Sequence, residues 1–261
     1  MPDANPDLDL LIEAAHASGE IAGKYWRRSP QSWEKSAGAG PVTEADLAID
    51  QMLRHELCTA RPDYGWLSEE TEDDPARLAH DQLFIIDPID GTRAFIAGAE
   101  TFAHSLAIAR AGRITEAVVF LPMLDKLYSA SRDQVALLNG QEIGPATPAQ
   151  GQTPTILAAK CNLEPRHWHG QPAPFARHYR RSLAYRMCLV AEGRFDAMLT
   201  LRPTFEWDVA AGALIAQQAG VHVSDRSGKA LNFNNRKAQL DGIMAASAPV
   251  HKAICDRLNP G

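Results

Sequence analysis

The densest chemistry in the chain lies in Phe84-Ile85-Ile86-Asp87-Pro88-Ile89-Asp90-Gly91-Thr92. An apolar strand runs into it, and Pro88, which lacks an N–H, should stop that strand at Asp87. Two carboxylates three residues apart, Asp87 and Asp90, can then converge with the Ile89 carbonyl between them. Gly91 and Thr92 follow at the start of a short helix, whose unpaired N–H groups form a natural phosphate site. Donors made only of oxygen suit Mg²⁺ or Mn²⁺ rather than zinc. A plain turn rich in Asp, Pro and Gly has the same composition, so this segment alone reads equally as turn or site.

Other acidic groups shift that balance. Glu69-Glu70 follows a strand-like run, Asp46 sits near a helix start, and Asp208 opens a helix expected over Trp207–Ala219. Each stands at an element boundary beside apolar sequence, where a buried metal cluster would draw its ligands. Asp46 and Asp208 could also act as helix caps, a role compatible with holding a cation. Glu72, Asp73 and Asp74 read as a solvated acidic loop.

The elements that must position these groups follow from periodicity and punctuation. Asn5-Pro6 reads as an N-cap and a proline at the first helical position. Leu11, Ala14, Ala15, Ile21, Ala22 and Tyr25 then repeat with helical spacing to about Trp26. Arg27–Pro41, with two glycines and two prolines, reads as a mobile loop. Thr43 opens a second helix with Asp46 completing an approximate capping box, and Leu47, Leu53 and Leu57 supply its apolar face. The turn Arg61-Pro62-Asp63 closes it. Strand-like runs follow at Tyr64–Leu67, Leu83–Ile86, Phe102–Ala109, Ile114–Leu121 and Leu127–Ala130, with a hairpin turn at Ala111-Gly112. Beyond about Pro145 the pattern alternates: strand Thr155–Ala159, a His/Pro-rich loop over Pro165–Pro174, helix Ala184–Glu192, strand Phe195–Leu199, helix Trp207–Ala219, and short strands near Val221–Val223 and Ile243–Ala246. This divides the chain into an α+β half over residues 1–145, carrying most of the candidate ligands, and an α/β half over 146–261 that completes the site and shapes the pocket.

Composition removes several classes of function. The 261 residues are 45% hydrophobic and 22% charged, which excludes wholesale disorder. A net charge of −6 without basic blocks makes a nucleic-acid polymer a poor partner. The longest apolar stretch, Ala117 to Leu124, is too short to span a bilayer, and the acidic start MPDANPDLDL does not follow the plan of a signal peptide. Four scattered cysteines form neither a CxxC pair nor a disulfide framework. A cytoplasmic protein is expected. Cys188 and Arg194 fit a CX₅R spacing, but Glu192 between them would repel phosphate, so Cys188 reads as core. Asp87 and Asp90 are three apart, not the two a haloacid-dehalogenase phosphatase needs, and Cys161, His167 and His169 lack a fourth zinc ligand at suitable spacing.

Four motifs in order, VTEAD (Val42–Asp46), SEET (Ser68–Thr71), DPIDGTRAF (Asp87–Phe95) and EWDVAAGALIAQQAG (Glu206–Gly220), resemble those of the inositol monophosphatase family of metal-dependent, lithium-sensitive phosphomonoesterases. The resemblance implies a layered αβαβα fold, a homodimer, and two or three Mg²⁺ ions (or Mn²⁺) held by Glu69, Asp87, the Ile89 carbonyl, Asp90 and Asp208. It also implies phosphate held by the Gly91 and Thr92 N–H groups, with catalysis by Glu69 and by a water oriented and deprotonated through Thr92 and Asp46. Attack would be direct and in line, without a phosphoenzyme.

The same resemblance extends to the substrate pocket. Lys35 matches a loop lysine of part of the family, or is a surface lysine. Ser182 stands where the family has a pocket glycine. Arg186 could meet a second phosphate or be solvated, and Glu206 could meet a substrate hydroxyl or be helix-start charge. Pro203-Thr204-Phe205-Glu206 and the Lys35-Ser36…Pro41-Val42-Thr43 pattern are similar to the 3′(2′),5′-bisphosphate nucleotidase branch. The implied substrate is therefore a small polyol or sugar phosphate such as inositol 1-phosphate. The alternatives are adenosine 3′,5′-bisphosphate cleaved to AMP, or a non-catalytic metal- and phosphate-binding regulatory role.

Overall fold

Asn5 accepts the N–H groups of Asp7 and Leu8 and so starts helix α1 (Pro6–Tyr25), with Pro6 in the first turn where no N–H is needed. The computed structural model describes residues 5–35, 40–146, 151–172 and 174–259. The segment expected to be a loop pairs instead as an antiparallel ribbon, β1 (Ser32–Glu34) with β2 (Pro41–Thr43), in which Trp33 faces Val42. Bonds from Gln31 N to Glu44 Oε1 and from Glu44 N to Gln31 O close its open end. Ser36, part of the pattern quoted above, lies outside the described residues. Helix α2 (Glu44–Ala60) begins with the expected capping box between Thr43 and Asp46. Its buried face is Ile49, Leu53 and Leu57; Leu47 is 41% exposed, because it falls two residues out of phase with that i, i+4, i+8 row.

Seven strands then form one sheet in chain order: β3 (Gly65–Ser68), β4 (Gln82–Asp90), β5 (Ala103–Arg110), β6 (Arg113–Leu121), β7 (Lys126–Ser131), β8 (Leu137–Leu138) and β9 (Gln141–Glu142). Only the β3–β4 pair is parallel. The β5–β6 hairpin turns at Ala111 and Gly112, both at positive φ (48° and 75°), as a two-residue turn matched to strand twist demands. Strand alternation splits the sheet between two cores. Phe84, Ile86, Leu106, Ile108 and Val118 meet α1 and α2, while Leu83, Ile85, Ala107, Ala117 and Val119 face the opposite side.

That opposite side is covered by α4 (Leu183–Ala191) and α5 (Ala210–Gln218), and a short helix α3 (Thr92–Ile96) leaves the end of β4. Behind α4 and α5 lies a second sheet, ordered β11-β10-β12-β16-β14, made of β10 (Thr155–Ala158), β11 (Ala176–His178), β12 (Ala197–Thr200), β14 (His222–Ser224) and β16 (Ile243–Ala246). A ribbon of β13 (Thr204–Phe205) and β15 (Gln239–Leu240) stands beside it. Helix α6 (Ala248–Cys255) covers its outer face through Val250 and Ile254. Read through the molecule, the layers are αβαβα. The middle core runs from Leu67 to Ala245, so α4 and α5 pack against residues from both sides of position 145. The short strands β8, β9, β11, β13 and β15 are too brief to carry a periodic signal.

Candidate metal and phosphate site

Strand β4 does not stop at Asp87. It continues to Asp90 with a shift of register: Asp87 faces Ser105 and Asp90 faces Ala103, three steps on β4 against two on β5. Pro88 thus sits in a bulge, where its missing N–H costs no ladder bond. In a regular strand residues three apart point to opposite faces; the extra residue brings Asp87 and Asp90 into one cleft. The Pro88 carbonyl freed by the bulge accepts Nδ1–H of His104 at 2.6 Å. Burial pushes His104 down to about 4, so its ring is neutral and Nδ1 carries the proton.

The carboxylates meet. Glu69 at the end of β3, Asp87 in the bulge and Asp208 before α5 each offer an oxygen, all within 4.8 Å of one another. Among the described residues no other such group of three His, Cys, Asp or Glu side chains occurs, so Cys161, His167 and His169 do not assemble a zinc site. Asp208 lies in a turn two residues before α5 and caps nothing; the helix starts at Ala210, and Glu206 O accepts its N–H. Asp90 lines the same cleft, with Oδ2 accepting from Ser182 Oγ at 2.6 Å and Ala184 N at 2.7 Å. Burial, then mutual repulsion with Glu69 and Asp90, drives Asp87 well above the ordinary carboxylate range. Burial, Asp90 and Glu69 do the same to Asp208. Asp90 is held at about 6, burial outweighing its hydrogen bonds. Glu70 is pushed up to about 7 by burial and by Glu69. Asp87 Oδ1 is buried and meets no hydrogen-bond donor. Crowded acid groups with an oxygen left unpaired fit a hard divalent cation, which supplies the missing positive charge.

Lys35 reaches into this cluster, with Nζ 2.8 Å from Glu69 and 2.7 Å from Glu70. It is not a free surface lysine. Glu70, passed over in the sequence as a ligand, belongs to the cluster through this pairing; the adjacent acidic pair was its signal.

Asp46 and Thr92 are also brought together. One oxygen of Asp46 is fixed by Thr43 N (2.8 Å) and Thr43 Oγ1 (2.5 Å), and the other accepts from Thr92 Oγ1 at 3.3 Å. The Thr92 hydroxyl lies as close to the Ile89 carbonyl, at 3.2 Å. Burial holds Asp46 at about 6. Gly91, at φ 99°, turns the chain from the bulge into α3, a conformation that favours glycine. Gly91 and Thr92 line the cleft beside Asp87 and Asp90.

The cleft has a volume of about 780 Å³, and four arginines line it with the carboxylates: Arg93, Arg181, Arg186 and Arg202. Arg186 is not solvated, the second of its two sequence readings: it is only 5% exposed, donates to Arg180 O at 2.6 Å and stacks on Tyr179. Phe205 and Trp207 line the same cleft, stacked with centroids 4.5 Å apart. Two expected substrate contacts are corrected. Ser182 is fully buried at φ −70°, capping α4 and donating to Asp90, so no glycine is required there. Glu206 is fully buried too, accepting from Asn234 N, Asn235 N and Asn235 Nδ2; it braces a loop instead of facing the cleft. The CX₅R cysteine is core, as expected: Cys188 is buried and burial pushes its thiol up.

The sequence model of the inositol monophosphatase family matches residues 3–259. The chain belongs to the inositol monophosphatase family. These are metal-dependent phosphomonoesterases, and a chain with the family's fold and a converging acidic cluster is an enzyme of that kind. It is 34% identical to the inositol-1-monophosphatase of Rhizobium meliloti, covering 95% of this chain and 94% of that protein. It is 29% identical to the 3′(2′),5′-bisphosphate nucleotidase CysQ of Salmonella typhimurium, covering 90% and 96%. A solved structure of a Thermotoga maritima IMPase superposes with a TM-score of 0.83 at 27% identity, over 97% of this chain and 96% of that one. Among the described residues no helix is long and apolar enough to cross a membrane.

Proposed function

We propose that this inositol monophosphatase family member hydrolyses a compact phosphate monoester that carries a second anionic group, with adenosine 3′,5′-bisphosphate as the test case. The phosphatase reading rests on one observation, the meeting of Glu69, Asp87 and Asp208 within 4.8 Å. In this reading Glu69, Asp87, Asp90, Asp208 and the Ile89 carbonyl hold two divalent cations, Mg²⁺ or Mn²⁺. Such ions neutralise phosphoryl oxygens and lower the pKa of water towards roughly 7. The chain's own residues do the rest. The Gly91 and Thr92 N–H groups hold the phosphate, and Thr92 Oγ1 orients the attacking water. Asp46, raised to about 6, takes its proton through Thr92. Lys35 offsets the charge of Glu69 and Glu70.

The arginines lining the cleft favour the bisphosphate over a polyol monophosphate. Arg186, a desolvated guanidinium attracted by Asp90, forms no ion pair among the described residues, and a phosphate would satisfy it bidentately. The stacked Phe205 and Trp207 offer a flat apolar face suited to a base. Turnover of adenosine 3′,5′-bisphosphate and inositol 1-phosphate with saturating Mg²⁺ tests this. A kcat/KM higher for the bisphosphate, and lost selectively in Arg186→Gln, is expected; a preference for inositol 1-phosphate overturns the choice of ester. Failure of every ester to release phosphate leaves the non-catalytic binder.

A further inference from the structure

Helix α2 carries a second buried carboxylate, Asp50, one turn beyond Asp46 on the same side of the helix. It is not among the residues lining the cleft and forms no ion pair among those of the described residues. Both of its oxygens are used. Oδ1 accepts from the Ser68 hydroxyl, and Oδ2 accepts from Thr71 Oγ1 at 2.7 Å. Ser68 and Thr71 are the two ends of the Ser68-Glu69-Glu70-Thr71 turn, so Asp50 grips that turn on either side of Glu69.

The direction of the bonds is fixed by the neighbours. Trp66 Nε1–H donates to Thr71 Oγ1 at 3.2 Å, and Glu70 N–H donates to Ser68 Oγ at 3.4 Å. Each hydroxyl therefore receives an N–H and passes its own hydrogen to Asp50. Only a group that accepts at both atoms completes two such relays, and a carboxylate is that group. An amide would present one N–H where an acceptor is needed.

We infer that Asp50 is a positioning residue for the metal site. It ties the turn bearing Glu69 to the helix bearing Asp46, so that the metal-binding carboxylate and the water-activating carboxylate move as one unit. This rests on the metal-dependent reading above, and it adds a residue that touches neither cation nor substrate. Partners one bond removed from a ligand typically alter metal affinity about 10- to 100-fold.

The test measures Mn²⁺ binding by titration calorimetry on the purified full chain, alongside turnover across a Mg²⁺ series. Asp50→Asn keeps the shape and mismatches one relay. Its Mn²⁺ affinity is expected to fall about 10- to 100-fold, with a smaller loss in kcat at saturating Mg²⁺. The double variant Ser68→Ala/Thr71→Val removes the same grip from the other side and should lose affinity alike; it decides the matter if Asp50→Asn does not fold. Combining the two should add little further loss. Unchanged Mn²⁺ affinity in a folded variant overturns the inference, as does a fall in kcat alone. If wild type binds Mn²⁺ yet releases no phosphate from any ester, the functional reading fails while the grip is still judged by affinity.

Discussion

Ser182 Oγ lies 2.6 Å from Asp90 Oδ2, joining the first turn of α4 to the bulge of β4 across 92 positions of sequence. The same hydroxyl accepts Tyr185 N–H at 2.9 Å and so caps α4. With the Ala184 N–H, it holds one oxygen of Asp90 and leaves the other to the cleft. Ser182→Ala leaves a helix donor without its cap and a buried carboxylate short of a partner. It should destabilise the protein by about 1–3 kcal/mol, read from the urea midpoint, and weaken Mg²⁺ activation. A variant with wild-type stability and Mg²⁺ response would remove Ser182 from the site.

Thr92 and Asp46 make a separable contribution. Thr92→Val keeps volume and deletes the hydroxyl that joins Asp46 to the cleft. Turnover should drop by about 10²–10⁴, while calorimetric Mn²⁺ affinity stays near wild type, because the side chain is not among the proposed cation donors. Equal losses in both quantities would instead make Thr92 part of the cation's shell.

Metal and pH should be linked through stability. Asp46 and Asp90 stand at about 6 and Glu70 at about 7 in the folded chain, with Asp87 and Asp208 raised as well. Groups raised on folding favour the folded state fully below the ordinary carboxylate value near ~4, and that advantage is lost as pH climbs through the raised values. His104, lowered to about 4, acts in the opposite sense: its contribution is present above ~6.5 and lost on acidification. Glu206 is raised as well and His167 and His251 are lowered, so six carboxylates against three imidazoles decide the sign. The melting temperature of chelator-treated protein should therefore fall between about pH 4 and 7, and Mg²⁺ should restore more of it at pH 8 than at pH 5. A Mg²⁺ increment that does not grow with pH would contradict the crowded-carboxylate account.

The bulge itself can be probed through His104. His104→Val deletes the donor to the Pro88 carbonyl and leaves that buried oxygen unpaired, at a cost of about 1–3 kcal/mol. Because the bulge sets the spacing of Asp87 and Asp90, Mn²⁺ affinity should fall too. Full retention of both would show that the bulge holds its shape without the histidine.

Much of this was legible in the sequence. Caps and long helices announced themselves through Asn5-Pro6 and Thr43…Asp46, and the acidic residues at Glu69, Asp87, Asp90 and Asp208 stood at element ends where the folded chain gathers them. The misses have physical reasons. Pro88 read as a strand stop because a bulge that tolerates it depends on His104 from the neighbouring strand. Ser182 reads as a pocket residue from the family resemblance, and Glu206 as a substrate contact or helix-start charge; their burial depends on partners, Asp90 and Asn235, elsewhere in the sequence. The sequence offers Arg186 either as a contact to a second phosphate or as a solvated residue and gives no sign of Arg202, since the two meet at one cleft only when the chain is folded.

The central claim is that carboxylates from distant segments hold a catalytic divalent cation, and Asp87→Asn tests it most directly. Phosphate release from adenosine 3′,5′-bisphosphate and inositol 1-phosphate should be measured for wild type and variant across a Mg²⁺ series, with chelator as the blank. Wild type should require Mg²⁺, and Asp87→Asn should lose at least about 10²–10³ in turnover at saturating metal. Wild-type turnover in Asp87→Asn, or phosphate release that persists undiminished in chelator, would contradict it.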